Sequence, residues 1–289
     1  MISTARNEAF RPECWQGPRS IPILGCSVSR VTIDESLDLI EHWIDRRERR
    51  CRVVVATGFH GIWEAYRNPR LRDLFNSADL FCPDGIAPVW ISRLRGLPIQ
   101  GRVTGPDLLE RFLARSNQKG YRSFFYGDTE RTLTALRVRF GHRVAGTISP
   151  PFRNLGLKEE REMINQINKA HPDVLWVGLG MPKQEWWIHR NLNALRVPVV
   201  VGVGAAFSFA SGRVKRAPKW VGTAGFEWLW RFAMEPAKLW RRDLIDGPRF
   251  LYRALAETLQ IRWQLMLETA ETREPSQNAS DAIDLVDRT

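Results

Sequence analysis

An α/β fold is predicted for this chain: a mainly parallel sheet with helices on both faces, followed by a C-terminal helical appendage. Two observations predict it. Short β-branched runs such as RVVVATG and VPVVVGVG alternate with longer helical patterns through most of the 289 residues, the signature of a parallel sheet covered on both sides. From about Gly222 the alternation stops, and a basic, tryptophan-rich helical stretch begins.

The elements follow in order. Residues 1–20 read as a flexible leader, 21–221 as the α/β domain, 222–268 as the appendage and 269–289 as a disordered tail. VTIDESLDLIEHWIDRRERR opens on a capping box, Thr32 to Glu35, and continues with apolar residues at helical spacing. RVVVATG is the next strand. Residues 60–76 read as a helix that Pro69 interrupts, and ADLFCPDG as a short strand and turn. RSFFYGD, RVAGTISP, PDVLWVGLG and VPVVVGVG are four more strands. Between them stand the helices DTERTLTALRVRF, capped by Asp128 or Thr129, LKEEREMINQINKA and KQEWWIHRNLNAL. In the appendage, breaks are expected at Pro236 and at Gly247-Pro248.

Composition narrows the function. With 44% apolar and 26% charged residues the chain reads as an ordinary soluble protein. A net charge of +11 calls for an anionic partner such as nucleic acid, lipid head groups or a diphosphate. Eleven Lys or Arg against five Asp or Glu fall between Arg213 and Arg262, so much of the excess charge sits in and just before the appendage. Cys14, Cys26, Cys51 and Cys82 form no CxxC pair, which argues against a zinc site or disulfide framework and suits a reducing cytoplasm. The N-terminal residues lack the apolar core of a signal peptide. No apolar run reaches the length that spans a bilayer, so any membrane contact is expected to be peripheral.

Polar residues collect at the predicted strand ends. Thr57 ends one strand and Asp84 the next. GLGMPKQE follows a third, placing Lys183, Gln184 and Glu185 in the first turn of a helix after Gly180. Gly202 and Gly204 end a fourth, and Arg102 stands before the Gly turn of GRVTGPDLL. Ligands of parallel sheets bind at strand carboxyl ends, and helix N-termini attract phosphates. Each group also has an ordinary reading. Pro-Asp-Gly fits a type I turn, Lys183 a solvated cation, and His60 and His189 structural histidines. GVGAAF matches a dinucleotide fingerprint only weakly. There is no GxxxxGK[ST], HExxH, GxSxG or Asp-x-Asp pair.

Six strings occur in order: ADLFCPDG, GRVTGPDLL, FYGD, PDVLWVGLGMPKQEWWI, VGVGAAFSFASGRVKRAP and GFEWLWRFAMEPAKLWRR. Together they resemble the WecG/TagA/CpsF glycosyltransferases over about Ile21 to Arg253. The resemblance implies a Rossmann-like domain whose C-terminal appendage docks on the membrane and helps to close the site. It implies an inverting, metal-independent transfer from a UDP-sugar to a sugar on a polyprenyl-diphosphate carrier, with no cofactor. Such enzymes build teichoic acid, common antigen or exopolysaccharide precursors at the cytoplasmic face of the bacterial membrane. Asp84 matches the proposed general base, with Thr57, Arg102 and Gln184 also catalytic. Gly180, Lys183, Glu185, Gly202, Gly204 and Ser208 fall to the donor, and Arg216, Arg231, Lys238, Arg241 and Arg242 to the acceptor diphosphate.

Two positions depart from the pattern. Phe59 or His60 stands where the family commonly has Asn, and Ser208 where it usually has Asp. A ManNAc donor and a glucose or glucuronate donor both remain open. Other readings are a basic nucleic-acid-binding module, a nucleotide-dependent oxidoreductase resting only on GVGAAF, and a catalytically silent family member. The absence of a nucleic-acid motif and the clustering of charge in an amphipathic tail count against nucleic acid as a partner. An exposed apolar appendage also allows a homo-oligomer.

Overall fold

The structure, a computed structural model, describes residues 18–48, 50–214, 217–218 and 227–271. The predicted leader up to residue 17 and the tail from 272 lie outside the described residues, as do Arg216 and residues 221–226 at the predicted domain junction.

The chain begins with an antiparallel hairpin, β1 (Ser20–Ile23) and β2 (Cys26–Ser29). Helix α1 (Ile33–Arg46) leads to β3 (Arg52–Thr57), and α2 (Phe59–Arg67) and α3 (Pro69–Asn76) lead to β4 (Leu80–Pro83). Then come α4 (Ile86–Leu94), α5 (Gly105–Lys119), β5 (Ser123–Gly127) and α6 (Glu130–Phe140). A 3₁₀ turn, Gly141–Arg143, precedes β6 (Val144–Ile148) and α7 (Leu157–Lys169). The domain ends with β7 (Val174–Gly178), α8 (Lys183–Asn191), β8 (Val199–Gly202) and the short α9 (Ala206–Ala210). The appendage comprises α10 (Glu227–Met234), α11 (Pro236–Trp240), a π-helical turn (Arg241–Asp246) and α12 (Gly247–Glu271).

Among the described residues, β3 to β8 form one parallel sheet in the order β4-β3-β8-β7-β5-β6. Side chains alternate faces along a strand, and here both faces are apolar. Val54, Ala56, Leu80, Cys82, Val174, Trp176, Val199 and Val201 pack with α1, α5, α6 and α9 in one core. Val55 and Phe81 face the second core with the hairpin, α2, α3 and α4. Leu175, Val177 and Val200 face the third with α7 and α8. The expected two-sided α/β sheet is what the chain forms.

Caps set the helix boundaries. Thr32 and Glu35 complete the expected capping box, each binding the other's backbone amide. The helical stretch over 60–76 is two helices: Asn68 leaves the helical region, and its side chain caps α3 with Pro69 in the first turn. Thr129, not Asp128, caps α6. The hairpin, α4 and α9 were not foreseen. The expected break at Gly247-Pro248 is absent. Gly247 is right-handed helical and its amide reaches back to Arg242 O, a π-type turn. The wider turn places Pro248, which has no N–H to donate, at a point where the helix is already reorganised.

One buried arginine joins the appendage to two elements of the domain. Arg95 follows α4, and its side chain is only 3% exposed. Its guanidinium meets Glu257 Oε2 at 2.5 Å and Thr258 Oγ1 at 2.9 Å on α12, and donates to Pro22 O in β1. Glu257 Oε2 also accepts from Leu24 N at 2.9 Å. Hairpin, α4 and α12 therefore converge on a single fork-shaped cation, the geometry Arg suits best. Arg95→Met removes the buried cation and leaves Glu257 without its partner. It is expected to cost about 2–3 kcal/mol in denaturant unfolding, near the low end for breaking a buried ion pair, and to speed proteolysis of α12.

Candidate active site

The strand order brings the predicted polar groups together. Thr57, Asp84, Gly180 and Gly204 follow or end β3, β4, β7 and β8, four consecutive neighbours in the sheet. Thr57 pairs with Pro83 across β3 and β4, and Gly202 lies opposite Val55 on one side and Val177 on the other. Neighbouring strands sit about 4.8 Å apart, so their carboxyl ends form one crevice.

Backbone contacts set the geometry of Asp84. Its amide donates to Thr57 O at 3.1 Å, and its Oδ2 accepts from Gly105 N at 3.3 Å. The string TGPD is thereby explained. Thr104 caps α5 through Asp107, Pro106 occupies the first turn, and Gly105 presents a free amide to the Asp84 carboxylate. Val103 N donates to Pro83 O at 2.9 Å, running Arg102 alongside the same strand end. Thr57, Asp84 and Arg102 are all half-buried: reachable, yet held. Gly58 and Gly61 are required by close approach, because a Cβ would stand 2.0 Å from Asp84 O or 2.1 Å from Thr57 Oγ1 respectively.

Gln184 and Glu185 sit deeper than the sequence implied. Gln184 is 2% exposed. Its Oε1 accepts from Gly204 N at 2.9 Å and its Nε2 donates to Glu185 Oε1 at 2.8 Å. Its own amide donates to Gly180 O at 3.0 Å. Gln184 thus clamps the turn after β7 to the turn after β8, and these contacts give it a positioning role. Glu185, expected from the resemblance to serve the donor, is buried. At 4% exposure it lies on the inner side of α8, lining a cavity of about 50 Å³ with Val53, Leu74, Asp79 and Ile188. Lys183 is exposed at the helix start, and Gly180, with φ +79°, has open space where a side chain would be.

At the end of β5 stands a carboxylate that sequence reasoning used only as a possible cap. Asp128 has φ +59°. Ser208 Oγ donates to its Oδ2 at 3.0 Å, while Arg213 Nη2 donates to Ser208 Oγ at 2.7 Å and Arg213 Nη1 lies 3.4 Å from Asp128 Oδ1. The signal was present in FYGD, but not its spatial link to Ser208, 80 residues away.

The appendage lies over α2, which begins two residues after Thr57. Phe59 and Phe250 rings stand 5.8 Å apart, and Trp63 Nε1 donates to Asp246 Oδ1 at 3.2 Å. Arg231 sits over the ring of Phe209 at 5.5 Å, next to Ser208. Arg242 forms a double hydrogen bond to Asp243, at 2.6 and 2.9 Å. Arg241 is exposed and stacks on Trp240 at 5.1 Å. The Lys238 side chain, like Arg216, lies outside the described residues. A hollow of about 720 Å³ at α7 and the loop before β8 lies at the opposite, amino end of the sheet.

Burial pushes the Glu185 carboxyl up to about 7 from an ordinary 4.5, against the opposing hydrogen bond from Gln184. The folded chain therefore holds this proton more tightly than the unfolded chain. Its stability contribution is intact below about pH 4.5 and is lost as the pH rises through 7. Glu185→Gln, neutral and of equal size, is expected to gain up to about 3 kcal/mol at pH 8 and almost nothing at pH 4. Urea unfolding at the two pH values checks this.

Comparison with known proteins gives a consistent result. The model of the glycosyl transferase WecG/TagA/CpsF family matches residues 21–264. An N-acetylglucosaminyldiphosphoundecaprenol N-acetyl-beta-D-mannosaminyltransferase of Bacillus spizizenii is 35% identical over 189 residues, 65% of this chain and 73% of that one. The protein of that name from Bacillus subtilis is 30% identical over 76% of this chain and 85% of its own. That of Staphylococcus aureus is 24% identical over 81% and 91%. The chain belongs to the WecG/TagA/CpsF family of glycosyl transferases.

Proposed function

We propose that this protein transfers an N-acetylmannosaminyl-type residue from a UDP-linked donor to N-acetylglucosamine on a polyprenyl-diphosphate carrier, with inversion and without a catalytic metal. The observation that carries the reading is the Asp84 carboxylate, anchored by the Gly105 amide beside Thr57 at the meeting of four strand ends. The names of the relatives support the choice of sugars.

The chemistry follows from the placement. The acceptor hydroxyl gives its proton to the Asp84 carboxylate as its oxygen attacks the anomeric carbon. The bond from that carbon to the donor phosphate breaks, and its electron pair leaves with UDP. Negative charge then grows on the leaving diphosphate. Arg102, Lys183 and the first turn of α8 supply positive potential at the crevice. Arg231, beside α9, and Arg241 are the described appendage cations best placed for the acceptor diphosphate. Gln184 holds the glycine turns against which the donor lies.

Asp84→Asn is expected to fold and to bind donor, yet lose about 10²-fold or more in turnover. The test supplies short-chain polyprenyl-diphosphate-GlcNAc with a panel of UDP-sugars and scores UDP release and product mass. Release from UDP-ManNAc that depends on acceptor and on Asp84 supports the reading. Full turnover in Asp84→Asn overturns the base, and release only from UDP-glucose or UDP-glucuronate overturns the sugar.

We also propose that the appendage rests on an anionic membrane at the cytoplasmic face. Among the described residues no helix is long and apolar enough to cross a membrane. Helix α12 instead buries Phe250, Ala254 and Thr258 inward and exposes Leu251, Leu255, Leu259, Trp263 and Met266 outward. Trp90, Leu94 and Leu97 are exposed on and just beyond α4, which packs against α12. Exposed Arg249, Arg253 and Arg262 accompany this stripe, a combination that suits an anionic interface. The pair Leu255→Glu and Leu259→Glu is expected to cut sedimentation with phosphatidylglycerol vesicles at least tenfold. Unchanged sedimentation places the contact elsewhere, and a dimer-to-monomer change without loss of vesicle binding makes this face a subunit interface.

A further inference from the structure

Two groups on α2 and one on the appendage meet in a way the transfer reaction does not use. His60 and Glu64 stand one turn apart, at i and i+4, on the same face of α2. Asp246 reaches them from the end of the π-helical turn. One candidate donor atom from each residue lies within 4.8 Å of the other two, and all three residues are half-buried. Among the described residues this is the one group of three such side chains close enough to share an ion.

The surroundings favour a cation there. His60 Nδ1 is buried without a hydrogen-bond partner, although a ring nitrogen shut away from water normally has one. Trp63 Nε1 orients the Asp246 carboxylate from behind, as an outer-shell donor does in a metal site. Compensation by nearby cations is partial. Arg67 approaches Glu64 only from the exposed side, at 3.5 Å, and Arg242 is held by Asp243. Two carboxylates and an imidazole therefore share a space in which one ring nitrogen lacks a bond.

We propose that His60, Glu64 and Asp246 bind one divalent cation of the borderline class, with Zn²⁺ as its representative. One nitrogen and two oxygens plus water make a four-coordinate set for such an ion, whereas Mg²⁺ and Ca²⁺ prefer all-oxygen shells. Bonds of about 2.0–2.1 Å require donors roughly 3.4 Å apart, so the three side chains must draw in from a spacing that now lies within 4.8 Å. The ion has a structural role. It ties the appendage to α2, and so to the Thr57-Gly58 wall of the crevice, by a link independent of the Arg95 fork. It adds to the proposed transfer reaction without taking part in it, and its binding stands or falls separately from that reaction.

The test uses the full chain, stripped with a chelator and dialysed, with Zn²⁺ titrated against a chromophoric competitor. One Zn²⁺ per chain at micromolar affinity or tighter is expected, with a melting temperature several degrees higher at saturation and slower proteolysis between α9 and α12. Co²⁺ at the same site should show the d–d absorption of a four-coordinate complex. His60→Ala and Asp246→Asn should each weaken binding at least tenfold, while His189→Ala, on the exposed side of α8, should not. Asp246→Asn keeps an oxygen for Trp63, so its fold is the safer of the two. Binding weaker than millimolar overturns the proposal, as does tight binding that survives both variants.

Discussion

The crevice depends on how closely two backbones approach at the ends of β3 and β4. Asp84 N donates to Thr57 O while Gly58 passes so near Asp84 O that no Cβ fits between them. That approach extends the β3–β4 ladder one residue past the last paired strand position. It turns Asp84 out of the sheet at the one place where α5 offers an unpaired amide. A parallel sheet buried on both faces leaves only its two ends for ligands. At this end, main-chain atoms of two other elements hold Asp84: Thr57 O accepts from its amide, and Gly105 N donates to its carboxylate.

The same economy of fixed contacts governs the opposite wall. Gln184 reads as a polar residue at a helix start, a place where a ligand would find it. Its three contacts, to Gly180, Gly204 and Glu185, instead turn it into the strut between the β7 and β8 turns. Glu185 lies beneath it with its pKa pushed up to about 7 by burial, so its carboxyl is neutral below that pH.

Much of this was legible in the sequence, and the rest was hidden for identifiable reasons. The six parallel strands and the α1 capping box follow from local pattern, because β-branched runs and Thr-x-x-Glu act over a few residues. Thr57 and Asp84 were placed at strand ends correctly, since the end of an apolar run is itself a local signal. The inward turn of Gln184 and Glu185 was not, because burial at a helix start depends on what packs across it. The continuous helix through Gly247-Pro248 escaped for a similar reason: a π-type turn absorbs the proline, and no propensity scale contains that geometry. The hairpin was missed because its partners, Arg95 and Asn76, are about 50 to 75 residues distant.

Net charge is the other place where composition says less than structure. A surplus of +11 suggested abundant cations for an anionic partner, yet several arginines are already engaged by acids. Arg52 and Arg50 share Asp79, Arg115 meets Asp34 and Asp38, Arg95 meets Glu257, and Arg242 meets Asp243. Arg213 shows what such pairing can do near the crevice. Where the family pattern has a carboxylate in α9, this chain has Ser208, and the hydroxyl donates at 3.0 Å to Asp128 at the end of β5, two strands from β8. The Asp128 carboxylate is held there by Ser208, Thr129 and Arg213. The departure at Ser208 thus places a hydroxyl between two charged groups, Asp128 and Arg213.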